Sequence, residues 1–140
     1  MITSDELLTK VYQAIKDDVA NIIDGSVYQD GCRPYNSIGS EDAVLTVSTL
    51  SADQVQEGVI ALNIFVPNIN NATGLYVPNR ARLLVLSQCM GDIVDALQSK
   101  MPETEIRPYA AAQTMANDNG REYIVNQLIR IKLLWQQIKL

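Results

Sequence analysis

Over the first two dozen residues the apolar positions Leu8, Val11, Ile15, Val19 and Ile22 recur every three or four residues, the period of one helix face. Ser4 offers an N-cap, and Asp5 and Glu6 suit the positive end of a helix dipole, so a helix is expected from Asp5 to Ile23. Asp24-Gly25 ends it, and Val27-Tyr28 reads as a short strand before the turn signal Asp30-Gly31. Residues 32–42 contain Pro34 and Gly39, show no usable period and read as a loop. From Ala43 the pattern alternates through Ser48, and Val59 to Val66 is then almost wholly apolar and β-branched, with Asn63 its only polar side chain. Two antiparallel strands are expected, the second more deeply buried, joined by a flexible tip from Ser51 to Glu57.

Between Pro67 and Asn79 the chain turns Asn-rich around an apolar island, Leu75-Tyr76-Val77, and reads as a long loop. Asn79 then caps a second helix, with Leu83, Leu86, Met90, Ile93 and Leu97 on one face and Pro102 at its end. Glu103 to Met115 reads as extended, Asn117-Asp118-Asn119-Gly120 as a turn, and Glu122 to Trp135 as a strand closing a C-terminal hairpin. Leu128, Ile131, Trp135 and Ile138 also fit a helix, but the turn ahead and the β-branched content favour the strand. The order α-β-β-β-α-β-β predicts one α+β domain over residues 1–140, with two helices on one face of a mainly antiparallel sheet.

Composition narrows the chemistry. The 140 residues include no His and only two Cys, which removes the commonest general base and metal ligand and leaves too few soft ligands for a structural zinc site. A formal charge of -5 argues against general nucleic-acid affinity. The charge is uneven: residues 1–60 carry a balance of -7, whereas Arg121, Arg130, Lys132 and Lys139 face only Glu122 among residues 121–140. The N-terminus lacks the basic and apolar stretches of a signal peptide, and no apolar run is long enough to span a membrane, so synthesis inside the cell and reduced Cys32 and Cys89 are expected. Asn71-Ala72-Thr73 matches a glycosylation acceptor by letters alone.

No Gly-rich phosphate cradle, nucleophile elbow or Cys-x-x-Cys pair occurs, and no enzymatic activity, cofactor or metal is expected. Asp92 and Asp95 could share a divalent cation, but a solvated helix face is the simpler reading, since hard cations require several oxygen ligands. The turn at Asn117 departs from a calcium loop, with Met115 and Asn126 at ligand positions. Arg80 and Arg82 at the second helix start, and Arg130 and Lys132 on one side of the last strand, read as solvated edges or subunit salt bridges rather than phosphate contacts. Tyr28, Tyr35, Tyr76 and Tyr109 fall in loops or at strand ends, where tyrosine marks either an interface or a packed anchor.

The element order at this length resembles the tail-terminator or tail-completion proteins of long-tailed bacteriophages, and Asp30-Gly31-Cys32-Arg33-Pro34 followed by Glu41-Asp42-Ala43-Val44 resembles the segment entering the sheet in some small phage proteins. The resemblance covers most of the chain and is one of layout. It implies a non-enzymatic virion subunit, made in the host cytoplasm, that forms a ring, commonly a hexamer, capping the tail tube and joining it to the head-side connector, with DNA passing through the lumen and no membrane partner. The interface residues expected on this reading are Tyr35, Asn68, Asn70, Leu75, Tyr76, Arg130 and Lys132. The competing expectation is a small intracellular adaptor that binds a protein partner along an exposed sheet edge.

Overall fold

Helix α1, Ser4–Ala20, is capped one residue earlier than the pattern predicts. In this computed structural model, which describes residues 1–134, the Thr3 hydroxyl accepts from the Glu6 N–H while the Glu6 carboxylate accepts from the Thr3 N–H. That capping box satisfies two otherwise unpaired donors and outcompetes Ser4. The helix buries Leu7, Val11, Ile15 and Val19, with Leu7 rather than Leu8 the innermost residue of its first turns. It stops short of Ile23 at the Asn21 C-cap, where the next carbonyl, that of Ile22, is taken by the Arg82 guanidinium.

The strands follow as β1 Val27–Gln29, β2 Asp42–Leu50 and β3 Val55–Pro67. A short hairpin of β4 Ile69–Asn70 and β5 Tyr76–Val77 replaces the featureless loop expected from Pro67 to Asn79. It closes through a turn in which Ala72 and Gly74 have positive φ, and the Asn70 and Asn71 side chains accept from the Ala72 and Thr73 N–H groups. Those local bonds explain why an Asn-rich segment orders itself. Tyr28 lies within β1, the short strand expected at Val27-Tyr28. The tip between β2 and β3 is shorter than expected, because Ser51 exchanges hydrogen bonds with the Glu57 main chain and carries the ladder further.

Helix α2 spans Arg80–Lys100 and is capped by the Asn79 side chain, as expected. The extended stretch after it resolves into β6 Thr104–Pro108 and β7 Gln113–Ala116, and β8 runs Glu122–Leu134. The small residues Ala110, Ala111 and Ala112 fall in the break between β6 and β7, both of which pair with the same edge of β8. Trp135, Ile138 and Lys139 lie outside the described residues.

The sheet runs β1-β2-β3-β8-β6, antiparallel except for the parallel pair β1 and β2. Both helices pack on one face: Ile60, Leu62, Ile64 and Val66 of β3 and Val125, Ile129, Ile131 and Leu133 of β8 join Leu83, Leu86, Met90 and Leu97 of α2 in one core. Gln56 is buried with them because it donates to the Ile2 and Ser51 carbonyls and accepts from the Ile2 N–H. On the opposite face Val59, Ala61 and Phe65 of β3 and Ile124 and Leu128 of β8 are half-buried and belong to no core. The apolar run at Val59–Val66 reads as a strand covered on both sides, yet within one subunit the helices cover only one side.

Candidate functional site

The best-built polar arrangement stands where β2 and β8 begin. Glu41 and Asp42, adjacent in sequence, each meet a different arginine. Glu41 pairs with Arg82, Oε2 to Nε at 2.5 Å and Oε1 to Nη2 at 2.8 Å, and its N–H donates to Asp24. Asp42 accepts from Arg33 Nε at 3.1 Å, from the Ser37 hydroxyl at 2.5 Å and from the Ser26 N–H at 3.0 Å. Arg33 also forks onto Glu122, with Nη1 to Oε1 at 3.1 Å and Nη2 to Oε2 at 2.6 Å, and donates to the Ser37 carbonyl. Its guanidinium lies 4.1 Å from the Phe65 ring centroid, on the sheet face away from the helices.

Both carboxylates are fully desolvated, Asp42 at 1% and Glu122 at 0% exposure, so each must be satisfied or would cost several kcal/mol. Glu122 is satisfied by Arg33 together with the Asn117 and Asn119 amides at 3.0 and 2.9 Å. Burial opposes ionisation of Glu122, but Arg33 and the two amides outweigh it and hold its pKa below the usual carboxylate range. Asp42 is likewise shifted down: burial is outweighed by Ser37, Ser26 and Arg33. Arg33 is pushed up, since bonds to Glu122 and Asp42 more than offset its desolvation. The cluster clamps three segments together: loop 30–41, the start of β2 and the turn at 117–120.

Exposed apolar side chains stand at the same end of the sheet, some on the clamped loop and some on the β4-β5 hairpin. Tyr35 is fully exposed, Leu75 is 64% and Tyr76 70% exposed, and Ile38 and Ile69 are exposed beside them in sequence. A groove of about 350 Å³ runs between Ile38, Pro67, Asn68, Tyr76 and Arg121, and Tyr35 shares a second depression with Ile38, Asn119 and Arg121. Asn68 is half-buried in the groove wall. Its Nδ2 donates to the Gly120 carbonyl at 3.4 Å, and its Oδ1 is buried without a hydrogen-bond partner.

The seven expected interface residues thus fall into two groups. Tyr35, Asn68, Asn70, Leu75 and Tyr76 lie on the clamped loops and the β4-β5 hairpin. Arg130 and Lys132 stand near the other end of β8, around a depression shared with Glu105 and Arg107. Arg130 pairs with Glu57 at 2.7 Å, and that partner raises its pKa. Arg82 pairs with Glu41 within the chain, and Arg80 sits over the Tyr123 ring at 5.1 Å. Asp92 and Asp95 are exposed on α2, and no group of three or more His, Cys, Asp or Glu among the described residues is placed to hold a metal ion. Cys32 is exposed, Cys89 half-buried, and both are free thiols.

Reading the sequence alone missed the clamp. Its signal was present, since Asp42 and Glu122 each open an apolar strand and a charge there needs a partner. Arg33 lies 89 positions from Glu122, so the pairing itself is visible only in three dimensions. No helix among the described residues is long and apolar enough to cross a membrane. No protein-family model matches the chain, and no curated protein matches it.

Proposed function

We propose that this chain is a structural subunit that assembles with copies of itself into a ring, terminating a phage tail tube and joining it to a head-side connector, as its layout suggests. The observation that carries the reading is the exposed set of Tyr35 and Ile38, on a loop that a buried ion cluster ties to the sheet, with Tyr76 of the β4-β5 hairpin across a groove from Ile38. Large exposed aromatic and aliphatic side chains on a pre-organised frame are what a protein contact requires, because little entropy is lost when they dock. On this reading the patch meets the neighbouring tube or connector protein, while other faces join subunits. The test has two arms. Light scattering across a hundredfold concentration range is expected to show growth to a discrete oligomer, and a chain lacking residues 69–75 is expected to form that oligomer yet fail to complete tails. A wild-type chain that stays monomeric throughout would overturn the ring.

The adaptor reading has one observation in its favour. All four residues of β7 are exposed at the edge of the sheet, where an added strand could pair. Pro108 and the break before β7 shorten that edge, as sheets do to discourage casual pairing. An adaptor would stay monomeric or dimeric and gain protection of the β7 amides when a partner peptide binds.

A further inference from the structure

We infer that successive subunits join by laying the outer face of α2 from one copy on the uncovered sheet face of the next. This rests on the self-assembly reading and names the two surfaces it uses.

The sheet face away from the helices has two halves. Val59, Ala61, Ile124 and Leu128 form a largely apolar half outside the core, crossed by the hydrogen-bonded pair Asn63 and Asn126 and ending at Phe65, which Arg33 caps. Further along β8 stand Arg130 and Lys132, and the register sets Arg107 of β6 directly opposite Arg130. Like charges opposed across a ladder are unfavourable by themselves. Glu57 and Glu105 flank Lys132 in register and pair with Arg130 and Arg107, leaving this half with three cations against two acids.

The solvent side of α2 carries the complementary pattern. Leu84 and Val85 are exposed at 59% and 46%, and one to three turns later on the same side come Gln88, Asp92 and Asp95, also exposed. Neither aspartate makes an ion pair among the described residues. Along the helix, Leu84 to Asp92 spans about 12 Å at ~1.5 Å per residue. Along β8, Leu128 to Lys132 spans about 13 Å at ~3.3 Å per residue. Both surfaces therefore change from apolar to charged over the same distance, with opposite sign. Matching them sets Leu84 and Val85 against Leu128 and Ala61, sets Gln88 level with Arg130 and Arg107 and Asp92 level with Lys132, with Asp95 about one turn further along, and runs the docked α2 parallel to β8.

The occupant is a second copy because one chain presents both surfaces and cannot bring its own together: its α2 already packs on the sheet's other face. A contact between two different patches of one subunit propagates head to tail until it closes. It would also give the apolar run of β3 the second cover its composition suits. The charges act on register and partner choice, and the apolar half supplies the affinity.

The test uses full-length protein with two charge reversals, Asp92→Lys with Asp95→Lys and, separately, Arg130→Glu with Lys132→Glu, each checked for folding by circular dichroism. Each alone is expected to lose the wild-type oligomer by light scattering at least tenfold above the concentration where wild type assembles, and a one-to-one mixture is expected to regain a mixed species. Leu84→Glu is expected to abolish assembly with either background. Wild-type assembly by both reversals overturns these surfaces while leaving the ring standing, as does a mixture that regains nothing. A wild-type chain that never associates overturns the ring itself.

Discussion

Arg33 is the residue on which the clamp turns. Replacing it with Met would leave Asp42 and Glu122 buried without a counter-charge, and the expected loss is about 3–5 kcal/mol, read as a lower midpoint in urea. Lys in its place is expected to recover little, because an ammonium cannot fork onto Glu122 while bonding Asp42. Adding Asp42→Asn and Glu122→Gln to Arg33→Met should recover part of the loss, since the buried charges then disappear. The same cluster sets an acid limit. Asp42 and Glu122 have folded pKa values below their ordinary ones, so their contribution is present above about pH 4 and lost as pH falls through the lowered values. Thermal melts from pH 6 to pH 2 are expected to show that loss in the wild type and a shallower one in the triple variant. Gly25 belongs to this scale too, because a methyl group there would overlap Asp42 Oδ1 and the Glu41 carbonyl, and Gly25→Ala is expected to destabilise strongly.

Among the elements, α2 offers a clean probe. Gly91 is exposed within the helix, and a methyl group there would meet nothing within 4 Å. Gly91→Ala is therefore expected to stabilise the chain by about 0.5–1 kcal/mol in chemical denaturation, and no change would mean that the helix is held by packing elsewhere. The elements also show what the sequence made legible. The stripe at Leu83, Leu86, Met90, Ile93 and Leu97 declared α2, and alternation declared β2, because each pattern reports a face that must be buried. The break at Ala110–Ala112 was visible as small residues, but that β6 and β7 share one edge of β8 was not, since pairing is a property of the sheet. The hairpin at residues 69–77 escaped because its order comes from Asn side chains bonding their own backbone, which leaves no hydrophobic period. The closing run alternated as a strand should and fitted a helix as well; β8 follows the alternation through Leu134.

For the whole molecule, net charge and local charge make opposite forecasts, and that decides between a specific interface and general association. Copies of a chain with formal charge -5 repel at long range, and salt screens this over a Debye length of about 8 Å at physiological ionic strength. If repulsion alone governed association, reversing Asp92 and Asp95 to Lys, which brings the formal charge to -1, would promote assembly, and reversing Arg130 and Lys132 to Glu, which brings it to -9, would oppose it. The interface between α2 and the open sheet face forecasts loss in both. It also forecasts recovery in the mixture, where a lysine pair meets a glutamate pair, although the mean charge of the two chains is still -5. Sedimentation of the two variants, alone and mixed, at about 0.05 and 0.5 M salt separates the cases. Assembly that follows net charge, with the Asp92→Lys, Asp95→Lys chain larger than wild type, would remove the specific contact. Loss in both with recovery on mixing would fix which face of one subunit meets which face of the next.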